Sequence, residues 1–160
     1  MTVTFRQLES RDFRPVVGVA DDWWGGRAVR GILQRLFLDH FADTSLVAEC
    51  DGEIVGFLVG FSSSSRPGEA YVHAVGVAPS HRGAGLGREL YERFFSLVRD
   101  RGATTVRAIT APVNRGSIAF HRSLGFELEP SDREVDGVPV HGGHDPNGGD
   151  RVLFVKRLPR

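Results

Sequence analysis

At 160 residues the chain is long enough to bury a sizeable core and short enough to form one domain. Its 41% hydrophobic and 25% charged content is that of a soluble globular protein, and 20 basic residues balance 20 acidic ones. That balance excludes partners held by bulk electrostatics, so neither nucleic acid nor an acidic membrane surface is expected. The sole cysteine, Cys50, rules out an intrachain disulfide and a cysteine-based metal cluster. Residues 1–7 carry no basic stretch leading into an apolar one, and no run approaches a membrane span, so a cytoplasmic setting is expected. Of the basic residues only Lys156 is a lysine. Arginine offers a planar fork suited to phosphate and carboxylate, but a genome-wide codon bias gives the same composition.

Residues 2–8, with Val3, Phe5 and Leu8, predict a first strand. Ser10 is placed to cap a short helix through Phe13, Val16 and Val17 that ends near Asp21-Asp22-Trp23-Trp24-Gly25-Gly26. Residues 28–41 set Val29, Ile32, Leu33, Leu36, Phe37, His40 and Phe41 on one stripe and predict a helix. Two strands, 45–50 and 53–61, follow around Asp51-Gly52, a strong hairpin signal. After a polar loop at 62–67, residues 69–77 are apolar on both faces and read as a central strand. A helix over 86–101 turns Leu86, Leu90, Phe94, Leu97 and Val98 to the sheet and stops at Gly102. Residues 105–110 form a buried-type strand, 114–124 a helix capped by Asn114 and closed at Gly125, 126–128 a strand, and 151–157 the last strand. Between the last two strands, 131–150 is a long glycine-rich loop within the same single domain, with a short hairpin at Gly137-Val138-Pro139.

The most informative segment joins the central strand to the helix that follows it: Arg82-Gly83-Ala84-Gly85-Leu86-Gly87-Arg88. Glycines let the backbone approach a ligand, and the first-turn N–H groups of a helix lack intrahelical partners, so the turn is an anion site suited to phosphate. A nucleotide-triphosphate loop would need Lys and Ser or Thr after the last glycine, where Arg88-Glu89 stand. A dinucleotide site would need the motif after the first strand and an acidic residue closing the next. Here it lies mid-chain, and the next strand ends Ala108-Ile109-Thr110-Ala111.

The same turn resembles the Arg/Gln-x-x-Gly-x-Gly/Ala signature of the Gcn5-related N-acetyltransferases (GNAT). Val75-Gly76-Val77-Ala78-Pro79 is similar to the family's strand leading into it. Asn114 to Glu127, with Ser117, Phe120, His121 and Gly125-Phe126, resembles the second block, Asn-x-x-Ser/Ala-x-x-Phe-Tyr-x-x-x-Gly-Phe. The resemblance covers the order of elements from end to end. It implies an α/β (α+β) fold with a mixed, mostly antiparallel central sheet of six to seven strands flanked by about four helices. It implies acetyl-CoA as co-substrate, with pantetheine on the backbone of Val75 and Val77. The pyrophosphate would rest on the turn of Arg82, Gly83, Ala84, Gly85, Leu86, Gly87 and Arg88, and Asn114, Ser117 and Phe120 would complete the cofactor site. The activity implied is N-acetyl transfer to a primary amine of a small molecule or peptide by direct attack. A non-catalytic acetyl-CoA-binding sensor or assembly module is the alternative. The fold commonly dimerises, so a homodimer is an expectation.

Amine acetylation needs a deprotonated nucleophile, support for the oxyanion and a proton for the thiolate. Strand alternation would put Glu69, Tyr71, His73, Val75 and Val77 on one face. His73, where arylalkylamine acetyltransferases are similar in carrying a histidine, is the leading base, with Glu69 second. The family's tyrosine acid is replaced by His121, which is thus the candidate acid, although a thiol of pKa about 8.5 can also leave unaided. For the acceptor, Asp22, Trp23, Trp24 and Tyr71 are expected to bind a cationic amine through charge and cation–π attraction. His141, His144 and Asp145 are too loosely spaced for a metal site, so no metal is expected, and the loop around them suits a lid over the acceptor.

Overall fold

The computed structural model describes residues 2–26 and 30–160. Among the described residues nine strands and four helices run in the order β1 (Val3–Gln7), α1 (Phe13–Trp23), α2 (Arg35–His40), β2 (Leu46–Cys50), β3 (Glu53–Ser62), β4 (Glu69–Val77), α3 (Leu86–Asp100), β5 (Thr105–Thr110), α4 (Arg115–Ser123), β6 (Glu127–Leu128), β7 (Glu134–Val135), β8 (Val138–Pro139) and β9 (Val152–Arg157). Seven strands form one sheet in the order β1-β2-β3-β4-β5-β9-β6, and β7 and β8 form a separate hairpin in the late loop. All neighbours in the main sheet are antiparallel except β4 and β5. The fold is therefore the mixed, mostly antiparallel α/β sheet that the sequence resemblance implies.

Physical signals in the sequence account for most of these elements. Asp51 and Gly52 both take positive φ (52° and 80°) to close the β2–β3 hairpin, the conformation a type I′ turn demands. The α3 stripe buries Leu86, Leu90, Phe94 and Val98, and is widened by Tyr91 and Phe95. The Asn114 side chain accepts the Ser117 N–H at 3.2 Å and starts α4. At the other end, the first helical turn is capped by Glu9 rather than Ser10. The Asp12 carboxylate accepts the Glu9 N–H at 2.8 Å, and the Ser10 hydroxyl is instead bonded to Asp39.

Two expectations need correction. The single helix over 28–41 is absent: a short 3-10 turn at Arg30–Ile32 and the extended Gln34 (ψ 146°) precede α2. Gly31, a poor helix former, sits at this break; Ala28 and Val29 lie outside the described residues. The second correction concerns β4. Its pairing with β3 slips by one residue, from Val59↔Ala74 to Gly60↔Val72, leaving His73 as the bulged residue. The bulge exchanges the faces of the strand. Tyr71 stacks on Phe61 and His73 on Phe37, while past the bulge it is Gly76 that faces Phe57 and Trp23, and Val77 that meets the start of α3 at Gly87. Glu69, Tyr71 and His73 therefore do not share a face with Val75 and Val77.

β4 and β5 pair only from Glu69↔Thr105 to Tyr71↔Arg107 and then diverge. The wedge that opens between them beyond Tyr71 is the feature that positions the site.

Candidate active site

The wedge exposes backbone. Antiparallel pairing alternates the residues that exchange hydrogen bonds. The Ala78 N–H donates to the Val55 carbonyl at 2.9 Å, so in this register Ala74 and Gly76 bond to β3, and Val75 and Val77 turn their N–H and C=O groups towards the wedge. Two side-chain donors already find those carbonyls. Trp24 Nε1 donates to Val75 O at 3.1 Å and Arg82 Nε to Val77 O at 3.2 Å, while the Arg82 guanidinium also donates to Trp23 O.

A cavity of about 810 Å³ extends from there over the glycine turn. Of the residues assigned to the cofactor, Val75, Val77, Arg82, Gly83, Gly85, Leu86, Gly87, Arg88, Asn114, Ser117 and Phe120 line it; Ala84 lies in the turn but is not part of the wall. Gly85 is the N-cap of α3 in the left-handed region (φ 82°, ψ 8°), and no described side chain caps that helix end. The first-turn N–H groups are thus left to the cavity, at the positive end of a 15-residue helix. A Cβ on Gly87 would come within 3.0 Å of the Phe120 ring, so this glycine allows α4 to close the wall. Trp23, expected at the acceptor, belongs to this cavity instead, buried and stacked on Phe57 at 5.8 Å.

A second cavity of about 410 Å³ lies on the β5 side of the wedge. Trp24, Val75, Asn114, Ser117 and His121 line both cavities, so the two meet beside the Val75 backbone. His73 and Tyr71 line the second one. His73 donates from Nε2 to the Ile32 carbonyl, which the broken helix leaves available, and stacks on Phe37 at 4.0 Å. With Nε2–H given to that carbonyl, Nδ1 is the ring nitrogen left to accept a proton. Burial, then the nearby Asp145 carboxylate, raises the Tyr71 phenol above its ordinary range.

Three expected residues stand differently. Glu69 lines neither cavity. Arg107 binds its carboxylate at 3.0 and 3.2 Å and holds it below the ordinary carboxylate range, which leaves a poor base. Asp22 is exposed on α1 and lines neither cavity. His121 is in the site but only 4% exposed, with both ring nitrogens engaged. Nδ1–H donates to the Ser117 carbonyl at 2.7 Å and Nε2 accepts from the Tyr91 hydroxyl at 2.6 Å, with Phe154 stacked on the ring at 4.3 Å. Burial depresses its pKa, outweighing the Ser117 bond, so the ring is neutral and its one N–H is already committed to the Ser117 carbonyl. That runs against the role of proton donor.

Sequence reasoning missed Tyr91 and Arg151 on the second cavity, and named Asp145 only as too loosely spaced for a metal, on a loop read as a lid. Tyr91 lies one position from Leu90 on a buried helix face and reads as core; Asp145 and Arg151 reach the wall only through the folding of the late loop. Among the described residues no group of three or more His, Cys, Asp or Glu side chains could hold a metal, and no helix is long and apolar enough to cross a membrane.

The sequence model of the acetyltransferase (GNAT) family matches residues 4–126. The L-2,4-diaminobutyric acid acetyltransferase of Nocardia farcinica is 36% identical over 89 residues, covering 56% of this chain and 46% of the relative. Ard1 from Thermoplasma volcanium shares the fold with a TM-score of 0.79 at 20% identity, over 100% of both chains. The diaminobutyrate acetyltransferase EctA from Paenibacillus lautus, solved in complex with L-2,4-diaminobutyric acid and coenzyme A, has a TM-score of 0.71 at 25% identity, over 96% of this chain and 93% of that one. The chain spans about half the length of the curated relatives it matches, at 46%, 59% and 48% of each.

Proposed function

The chain belongs to the acetyltransferase (GNAT) family, and from that premise we propose that it transfers an acetyl group from acetyl-CoA to a primary amine of a small molecule or peptide. One observation carries this reading: the wedge between β4 and β5 joins an anion-binding turn to a second cavity past the backbone N–H groups of Val75 and Val77, which β3 does not engage. A long thiol cofactor fits the first part, with its pyrophosphate on the α3 N-terminus and its pantetheine amides on Val75 and Val77. Its thioester then ends where the two cavities meet. The relatives named for diaminobutyric acid support a small-molecule amine as the acceptor.

The chemistry follows from the residues at that meeting point and from His73 on the wall of the second cavity. His73 Nδ1 takes the proton of the amine, directly or through water, as the amine attacks the thioester carbonyl. The Val75 N–H stabilises the oxyanion that forms. Collapse of the tetrahedral intermediate breaks the C–S bond and releases the CoA thiolate, stable enough near its ordinary thiol pKa of about 8.5 to leave without a strong acid. Neutral His121 is a positioning residue in this scheme. Its bond to the Ser117 carbonyl and its 3.2 Å approach to the Ser117 hydroxyl hold that hydroxyl at the junction. Cys50, the only cysteine, is buried at the β2–β3 hairpin and lines neither cavity, which supports direct attack over an acyl-cysteine intermediate. The use of a single cysteine and the balanced charge favour a cytoplasmic setting.

Thiol release from acetyl-CoA across a panel of amines tests the reading. Amine-dependent release is expected; release that no amine accelerates would refute it.

A further inference from the structure

The acceptor cavity carries two fixed charges among its described lining residues, and they are opposite and adjacent: Asp145 and Arg151. Their side chains pair with one another at the cavity wall and are 20% and 29% exposed. The loop bearing them is folded rather than slack. Asp145 N–H donates to Gly149 O at 3.2 Å, Gly148 N–H to Asp145 O at 2.9 Å, and His141 and Arg151 bridge as antiparallel neighbours. Asp145 is also near enough to the Tyr71 ring to act on its hydroxyl. The rest of the wall is uncharged at its described side chains apart from the histidines, with small apolar residues such as Ala74, Ala108 and Ala111 beside the polar Tyr71, Thr110 and Asn114.

This wall is electrically neutral but strongly dipolar. A purely cationic polyamine gains no net attraction from it, because Arg151 repels what Asp145 attracts. A ligand bearing an ammonium beside a carboxylate matches it charge for charge. Arg151 has donors to spare: the guanidinium has five N–H groups, and its contacts are to Asp145 and, at 2.9 Å, to the Asp150 carbonyl. Because the pair is partly desolvated, discrimination there is stronger than at an open surface.

Resting on the acetyltransferase reading above, we infer that the acceptor is a diamino acid, with its zwitterionic α-ammonium and α-carboxylate on Asp145 and Arg151 and its side-chain amine directed to His73. The late loop is then the specificity element of the site.

The test compares three acceptors of matched length with the full chain and acetyl-CoA: ornithine, putrescine, which lacks the carboxylate, and δ-aminovalerate, which lacks the α-ammonium. The wild-type chain is expected to favour ornithine over each by at least about tenfold in kcat/KM. Arg151→Gln leaves Asp145 unopposed and should shift preference to putrescine; Asp145→Asn leaves Arg151 unopposed and should shift it to δ-aminovalerate. Acetyl-CoA affinity, measured in parallel, stays at the wild-type value in both if the fold is intact. Equal use of the three acceptors by the wild-type chain overturns the inference while leaving acetyl transfer standing. So does an equal loss for all three in both variants, which would make the pair a latch for the loop. Turnover of no amine at all overturns both.

Discussion

Replacing Gly85 with valine separates the anion site from the rest of the fold. Gly85 holds φ at 82°, where an L side chain costs about 1–2 kcal/mol. For a chain of this size that corresponds to a fall in Tm of about 2–8 °C. A Cβ there meets nothing within 4 Å, so the fold accommodates it, but the new side chain stands on the cavity wall at the α3 N-terminus. Pushing the pyrophosphate off a single charge-assisted N–H bond removes about 1.5–3 kcal/mol. The Kd for acetyl-CoA should therefore rise about 10- to 100-fold in titration calorimetry. Gly102 supplies the control. It has a similar φ of 92°, equally open space, and lies at the far end of α3 away from both cavities. Gly102→Val should lose comparable stability and keep wild-type affinity. The reasoning fails if Gly85→Val binds acetyl-CoA as the wild-type chain does, or if both variants lose affinity alike.

His73→Gln should lower kcat/KM roughly 100-fold and remove the limb of the pH–rate profile that reports a base, with acetyl-CoA affinity unchanged; a retained limb would rule His73 out. His121 is held neutral by burial, with its pKa below 6.5, so the stability it contributes is complete above pH 6.5 and is lost as pH falls below it. His121→Phe should remove that component from urea melts run across this range and cost about 1–3 kcal/mol by stranding the Tyr91 hydroxyl, while an unchanged pH dependence would contradict the assigned state. At Asp12, burial alone would raise the carboxyl, yet Arg6 and the Glu9 N–H hold it below its ordinary 3.8. Asp12→Asn should cost about 2 kcal/mol at neutral pH, with the difference from wild type shrinking as pH falls below 3.8; a constant difference would show that charge plays no part.

Local signals in the chain proved the legible part of the fold. β4 and β5 run over the residues read from their apolar runs, and α3, the Asp51-Gly52 hairpin and the Asn114 cap follow from periodicity and turn chemistry. That the glycine turn lines a cavity is legible for the same reason, since a glycine turn at a helix start is a local motif. The losses are all non-local. A bulge at His73 leaves no mark in an alternating sequence, yet it reassigns the faces of β4. Glu69 looks like a base until Arg107, 38 residues away, takes its carboxylate. The helix over 28–41 had an apolar stripe, but the chain extends at Gln34 and starts α2 only at Arg35, which frees the Ile32 carbonyl for His73. Asp145 and Arg151 reach the second cavity through a long loop whose path no periodicity encodes.

The central claim is direct acetyl transfer from a cofactor in the larger cavity to an amine in the smaller one. Its most direct test is mass spectrometry of a single-turnover reaction, following protein, amine and CoA together. The account predicts acetylated amine and free CoA in equal amounts, with the protein unmodified at every time point. Acetyl-CoA that binds but yields no acetylated amine, or acetyl that appears first on the protein, would contradict it.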